Sequence, residues 1–165
     1  MWEHRVLSLL REIRRIGRIA EPGPALSGEL LPAASELGGS VQFRHVDAGS
    51  CNGCEVEIAS AFGPVYDAER YGARLVASPR HADALLVTGP VTRNMAEPLR
   101  RTYEALAKPR FVVAVGDCAR GCGALARAYG VVGAVRDVVP VDLEIPGCPP
   151  RPEEIVAGLR KLTGR

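Results

Sequence analysis

No run in this 165-residue chain approaches the roughly 20 consecutive apolar residues that a membrane-spanning helix needs. The first residues also lack the short apolar core followed by small residues that marks a secretory signal, so the expectation is a chain that stays in the cytoplasm. Net charge is scarce too. The 21 Lys and Arg against 19 Asp and Glu leave +2, which excludes whole-molecule attraction to nucleic acid, and no nucleic-acid partner is expected. Internal repeats and low-complexity tracts are absent. There is one Cys-x-x-Cys and no second one, and His4, His45 and His81 show no ligand spacing, so the paired knuckles of a structural zinc site are missing. The three histidines read as ordinary surface or core residues.

What is present is apolar substance. At 47% hydrophobic and 24% charged residues, the chain has enough to bury the core of one main domain and too much to be disordered.

The opening "WEHRVLSLLREIRRIGRIA" spaces Val6, Leu9, Leu10, Ile13 and Ile16 as one stripe of a helix, with Arg5, Arg11, Arg14, Arg15 and Arg18 mostly elsewhere. Residues 1–20 are therefore expected to be a basic amphipathic helix that lies in a membrane interface or docks on a partner. Residues 21–40, "EPGPALSGELLPAASELGGS", have no sustained period and are rich in Pro, Gly, Ser and Ala, as expected of a linker on a partner's surface.

From 41 to 165 the pattern changes. "VQFRHV", "ARLVAS", "ALLVTG", "FVVAVG" and "VDLEI" are short runs rich in β-branched residues, several apolar throughout, which is the mark of strands buried on both faces. Between them lie helical stretches from Glu55 to about Phe62, Met95 to Leu106, Ala119 to Ala128 and Pro152 to Leu162. Alternating strands and helices predict an α/β fold, a doubly wound and mostly parallel sheet covered on both sides.

All five cysteines fall where strands end. Cys51 and Cys54 follow the first run, Cys118 and Cys122 follow "FVVAVG", and Cys148 follows "VDLEI". In such sheets ligands gather at the carboxyl edge. An odd cysteine count without a signal favours metal or redox chemistry over a disulfide framework. Glycines flank every thiol and let backbone amides approach sulfur. One close pair plus distant single thiols suits an iron–sulfur cube, with zinc, a thiol redox pair and structural cysteines as the other readings.

"GSCNGCEVEI", "ADALLVTGPVTRNMAEPLRRTYEAL", "PRFVVAVGDCARGCG" and "VPVDLEIPGCPPRPEEI" together resemble the family of the 20-kDa subunit of respiratory complex I and the small subunit of [NiFe] hydrogenases. The likeness runs from about Val41 to the C-terminus. It implies a flavodoxin-like domain holding one [4Fe–4S] cluster on Cys51, Cys54, Cys118 and Cys148, with Cys122 a non-ligand where relatives usually carry glycine. The spaced pair "CNGC" is similar to the hydrogenase side, whereas "PVTRNMAEPLRRTYE" is similar to the complex I side. That mixture resembles the small subunit of membrane-bound, formate hydrogenlyase-like hydrogenases.

The resemblance implies an oxidoreductase subunit that carries electrons and is not catalytic alone. Its implied partners are a large catalytic subunit ([NiFe] hydrogenase-like or complex I 49-kDa-like), a ferredoxin-like cluster subunit and membrane subunits. Its implied place is peripheral, on the cytoplasmic side of the inner membrane. The alternative parent is a complex I-like NADH/quinone oxidoreductase, with this chain as its B-type subunit. A zinc-bearing or thiol-based interaction module is the reading from a different class.

Four further residues are candidates for roles around the cluster. Glu57 is expected on the helix face beside the cluster, where it would relay protons, contact the large subunit or be a solvated carboxylate near the helix N-terminus, and this last reading is the one expected for Glu55. Asp117 adjoins a ligand and could tune potential or form a turn. The resemblance implies for Arg93, which follows a strand end, a role where the complex I relatives approach the quinone site, with a plain partner-facing Arg as the other reading. Arg151, beside the last ligand, is expected to pair with the acidic residues of the helix that follows or to cap a charged cluster.

Overall fold

A computed structural model describes residues 2–17, 30–31 and 36–165. Five strands make the main sheet: β1 (Val41–Asp47), β2 (Ala73–Leu75), β3 (Ala84–Thr88), β5 (Phe111–Val115) and β7 (Leu143–Ile145), in the order β2-β1-β3-β5-β7. Every neighbouring pair is parallel. Counted by their own sequence, these strands run second, first, third, fourth, fifth, which is the flavodoxin-like winding. A small antiparallel ribbon joins β4 (Val91–Thr92) to β6 (Val131–Gly133).

The central strand explains why its sequence is apolar without a break. All five residues of β3 are buried, and its side chains alternate between two cores. Ala84 and Leu86 face a layer formed by helix α2 (Gly53–Ala61) and helix α4 (Pro152–Thr163), through Ile58, Ile155, Leu159 and Leu162. Leu85 and Val87 face the other layer, where helix α3 (Arg93–Glu104) contributes Leu99. Burying one leucine side chain is worth about 1.5–3 kcal/mol, so each face is held by many such contributions.

Strand and helix expectations are met within a few residues, with one correction. Ala119–Ala128 is not a helix. The amides of Cys122 and Gly123 both donate to the Asp117 carbonyl, and Gly121 donates to Cys118 three residues back. Glycines at 121 and 123 give this stretch little helical preference, and it becomes a run of turns.

Helix α1 spans Trp2–Ile16. Val6, Leu7, Leu9, Leu10, Ile13 and Ile16 are all exposed on it. Most of the expected linker 21–40 lies outside the described residues. The part that is described packs on this chain itself: Leu31 N–H donates to the Lys161 carbonyl at 3.1 Å, and Leu31 and Leu37 rest against the α2–α4 core. Among the described residues no helix is long and apolar enough to cross a membrane.

Candidate cluster site at the carboxyl edge of the sheet

Because all five main strands point the same way, their carboxyl ends share one edge, and a cavity of about 100 Å³ opens there. Its lining comes from four consecutive strand ends. Ser50, Cys51, Gly53 and Cys54 follow β1, Gly89 follows β3, Asp117 and Cys118 follow β5, and Gly147, Cys148 and Pro149 follow β7.

The first pair is set by a turn. The Asp47 carboxylate accepts the amides of Gly49 and Ser50 at 2.8 and 2.7 Å, and Ser50 Oγ accepts Asn52 N–H at 3.0 Å. Asn52 takes a left-handed conformation, φ 70°, and α2 starts at the next residue. Cys51 thus stays in the loop while Cys54 enters the helix.

Two of the strand-end glycines leave space for sulfur. A β-carbon on Gly116 or Gly123 would collide with the Cys54 or Cys118 sulfur, respectively. Four thiols therefore surround a cavity built with side chains omitted where the sulfurs pass, and they surround it instead of converging on a point. Among the described residues no group of three His, Cys, Asp or Glu side chains is drawn together as one ion would require.

The thiols feel one another. Burial pushes the Cys54 thiol up to about 12, with Glu55, Cys118, Cys51 and Cys148 adding to the rise. Cys118 is raised as well, chiefly by burial, against a lowering hydrogen bond from the Leu125 backbone. Filling this cavity with a metal group would have to drive off protons, as thiolate ligation does generally. Cys122 stands apart: it is exposed, its thiol donates to the Asp117 carbonyl at 3.5 Å, and it lies 3.9 Å from the Arg120 guanidinium.

The remaining candidates separate. Asp117 lines the cavity, and its Oδ1 accepts Gly147 N–H at 3.0 Å. Glu57 is half-buried on α2 and is not in the lining. Arg93 begins α3 and is exposed, its guanidinium 4.8 Å from the Tyr129 ring centre. Arg151 precedes α4, and it is its backbone N–H, donating to Glu154 Oε2 at 2.8 Å, that meets the acidic residue.

Sequence reasoning missed a polar knot beside Cys54. Glu55 is no solvated carboxylate: its side chain is 16% exposed, its Oε1 accepts the Thr88 hydroxyl in a short hydrogen bond, and its Oε2 is buried without a hydrogen-bond partner among the described residues. His45 Nε2 lies 3.0 Å from Thr88 Oγ1. The Thr88 proton goes to Glu55, so His45 must be the donor in its own bond, which assigns the proton to Nε2. Burial lowers the His45 pKa, with Glu55 and Asp47 opposing. No local signal announces this group, because it depends on β1 and β3 lying side by side with Asp47 opposite Thr88.

Comparison with known proteins gives one family. Residues 51–162 match the model of the NADH ubiquinone oxidoreductase 20 Kd subunit. The chain is 47% identical over 123 residues to the "Probable membrane-bound hydrogenase subunit mbhJ" of Pyrococcus furiosus, covering 74% of each. It is 44% identical over 125 residues to formate hydrogenlyase subunit 7 of Escherichia coli, covering 76% of this chain and 49% of that one. Among solved structures, a chain of the membrane-bound sulfane sulfur reductase, an archaeal respiratory membrane complex, superposes with a TM-score of 0.68 at 32% identity, over 79% of this chain and 72% of that chain.

Proposed function

The chain belongs to the family of the NADH ubiquinone oxidoreductase 20 kDa subunit, and from that premise we propose that it is the electron-transfer subunit of a membrane-associated, formate hydrogenlyase-like [NiFe] hydrogenase complex. In this reading Cys51, Cys54, Cys118 and Cys148 bind one [4Fe–4S] cluster, and the subunit relays electrons to or from a large catalytic subunit. The observation that carries it is the cavity at the carboxyl edge: four thiols from three strand ends surround it, and glycines stand where β-carbons would strike sulfur.

A [4Fe–4S] cluster supplies a one-electron carrier whose potential the protein tunes through burial, hydrogen bonds to sulfur and nearby charge. This chain's own residues supply those levers. Cys54 and Cys118 are half-buried and Cys51 and Cys148 exposed, so the mouth of the site faces outward, where a large subunit would close it and exclude water. Asp117 brings a carboxylate into the lining. Arg93 with Tyr129 offers an exposed cation and aromatic ring to that partner. Arg151 and Glu57 have weaker support, since neither lines the cavity.

Further partners in this reading are a ferredoxin-like cluster subunit and membrane subunits. The exposed apolar stripe of α1 supports a role in docking on them or on the bilayer surface, with the chain held peripherally on the cytoplasmic side. A second reading, a B-type subunit of a complex I-like NADH/quinone oxidoreductase, is favoured by the description of the matched family itself. Isolation of the intact complex from membranes, with iron and nickel quantified on one sample, tests both. Iron with nickel supports the hydrogenase reading, iron without nickel the quinone-linked one, and a colourless preparation containing zinc overturns both.

A further inference from the structure

Cys118 and Cys148 sit on loops that follow different strands, so something must set the distance between them. Backbone pairing does part of this: Gly116 N–H donates to the Ile145 carbonyl and Asp117 N–H to the Gly147 carbonyl, both at 2.8 Å. The return bond comes from a side chain, with Gly147 N–H donating to Asp117 Oδ1 at 3.0 Å.

That carboxylate is itself gripped. The same Asp117 Oδ1 accepts from Arg120 at 3.1 Å, while Arg120 Nε donates to Glu144 Oε2 at 2.9 Å. Glu144 belongs to β7, the strand that leads directly into the Cys148 loop. Its other oxygen accepts from Arg136 at 2.9 Å, and Arg136 donates back to the Arg120 carbonyl at 2.9 Å. The result is a closed circuit from the Cys118 turn to β7 and back. Asp117, Arg120 and Glu144 have side chains only 29–32% exposed, where charge-assisted bonds are worth more than on an open surface.

We propose that Asp117 and Arg120 are positioning residues, a charged latch that holds the Cys118 turn against the Cys148 turn and so sets the separation of their two thiols. The proposal rests on the cluster reading for its purpose, but the latch is a property of this chain's own residues. Arg120 is suited to it because a guanidinium can reach two carboxylates at once with fixed geometry, which an ammonium cannot. Asp117 is suited because one oxygen serves both the Gly147 amide and Arg120.

The test uses the full chain, iron-free, with Cys51, Cys54 and Cys122 replaced by serine and spin labels on Cys118 and Cys148. A narrow distance distribution is expected, and Arg120→Ala and Asp117→Ala should both broaden it. Asp117→Asn, which keeps an acceptor for Gly147 and loses the charge, should fall between; it decides the matter should the alanine variants unfold. Arg101→Ala, on the exposed face of α3, should match the parent. In the full chain with all five cysteines, loaded with iron and sulfide, Arg120→Ala should lose iron to a chelator about tenfold faster, the scale of one charged hydrogen bond. Arg120→Lys should restore part of that. Unchanged distances in Asp117→Ala, Arg120→Ala and Asp117→Asn overturn the latch, whatever the iron content. Latch-dependent distances in a chain that takes up no iron support the latch and overturn the cluster reading.

Discussion

A β-carbon on Gly116 would lie 2.5 Å from the Cys54 sulfur, and Gly116 holds φ +88°, a conformation that other residues enter only with strain. The strand end after β5 and the helix after β1 can therefore close on one cavity only while position 116 has no side chain. Gly116→Ala should cost about 1–3 kcal/mol of stability and abolish iron uptake, as read by thermal unfolding and iron content. Gly130, with open space around it, is the control: Gly130→Ala should change neither, and an iron-replete Gly116→Ala protein would contradict the account.

The separation of Cys122 from the four cavity thiols predicts an asymmetric series. Serine at Cys51, Cys54, Cys118 or Cys148 should each remove the brown colour and most of the iron of the loaded chain. Cys122→Ser should keep both. Metal analysis with visible and electron paramagnetic resonance spectra checks this, and iron loss in Cys122→Ser with retention in Cys148→Ser would exchange their roles.

Thiol reactivity gives a metal-free check on the same geometry. With its thiol pushed up to about 12, mainly by burial, Cys54 is almost wholly protonated at pH 8, whereas alkylation needs thiolate. In the iron-free chain Cys54 should be the slowest of the five cysteines to alkylate, and exposed Cys122 should react sooner. Site-resolved mass spectrometry over time measures the order.

The His45 group predicts a pH dependence of known sign. Burial lowers its folded-state pKa below the ordinary 6.5, so as pH falls through that value the unfolded chain takes up a proton that the folded chain resists. Stability should be complete above about 6.5 and decline below it. His45→Gln, which can still donate to Thr88, should flatten that decline. Thermal melts of the iron-free chain between pH 5 and 8 test it, and an unchanged slope would mean another group is responsible.

Because the described side chains of α1 are all exposed, deleting residues 1–16 should shift the stability of the remaining chain by no more than about 0.5 kcal/mol. The same deletion should weaken association with membranes or partner subunits, measured by co-sedimentation. A large stability loss would show that the helix packs on its own domain.

Much of this was legible along the chain. Apolar runs such as "ALLVTG" announced β3 because burial on both faces forbids alternation, and the placement of cysteines after such runs announced the edge at which they gather. The Ala119–Ala128 stretch, placed as a helix between two strand runs, is instead a run of turns, because the Asp117 carbonyl gathers the Cys122 and Gly123 amides.

Local sequence determined what depends on neighbours within a few residues: strand and helix character, the glycine turns and the thiols that end on them. Tertiary structure alone decided what depends on register and proximity. Parallel pairing set Asp47 beside Thr88 and so assembled His45, Thr88 and Glu55; the closeness of β5 and β7 joined Asp117 to Gly147 and, through Arg120, to Glu144. Hydrogen bonds and charge act over a few ångströms of space, and thirty residues of chain separate Asp117 from Gly147.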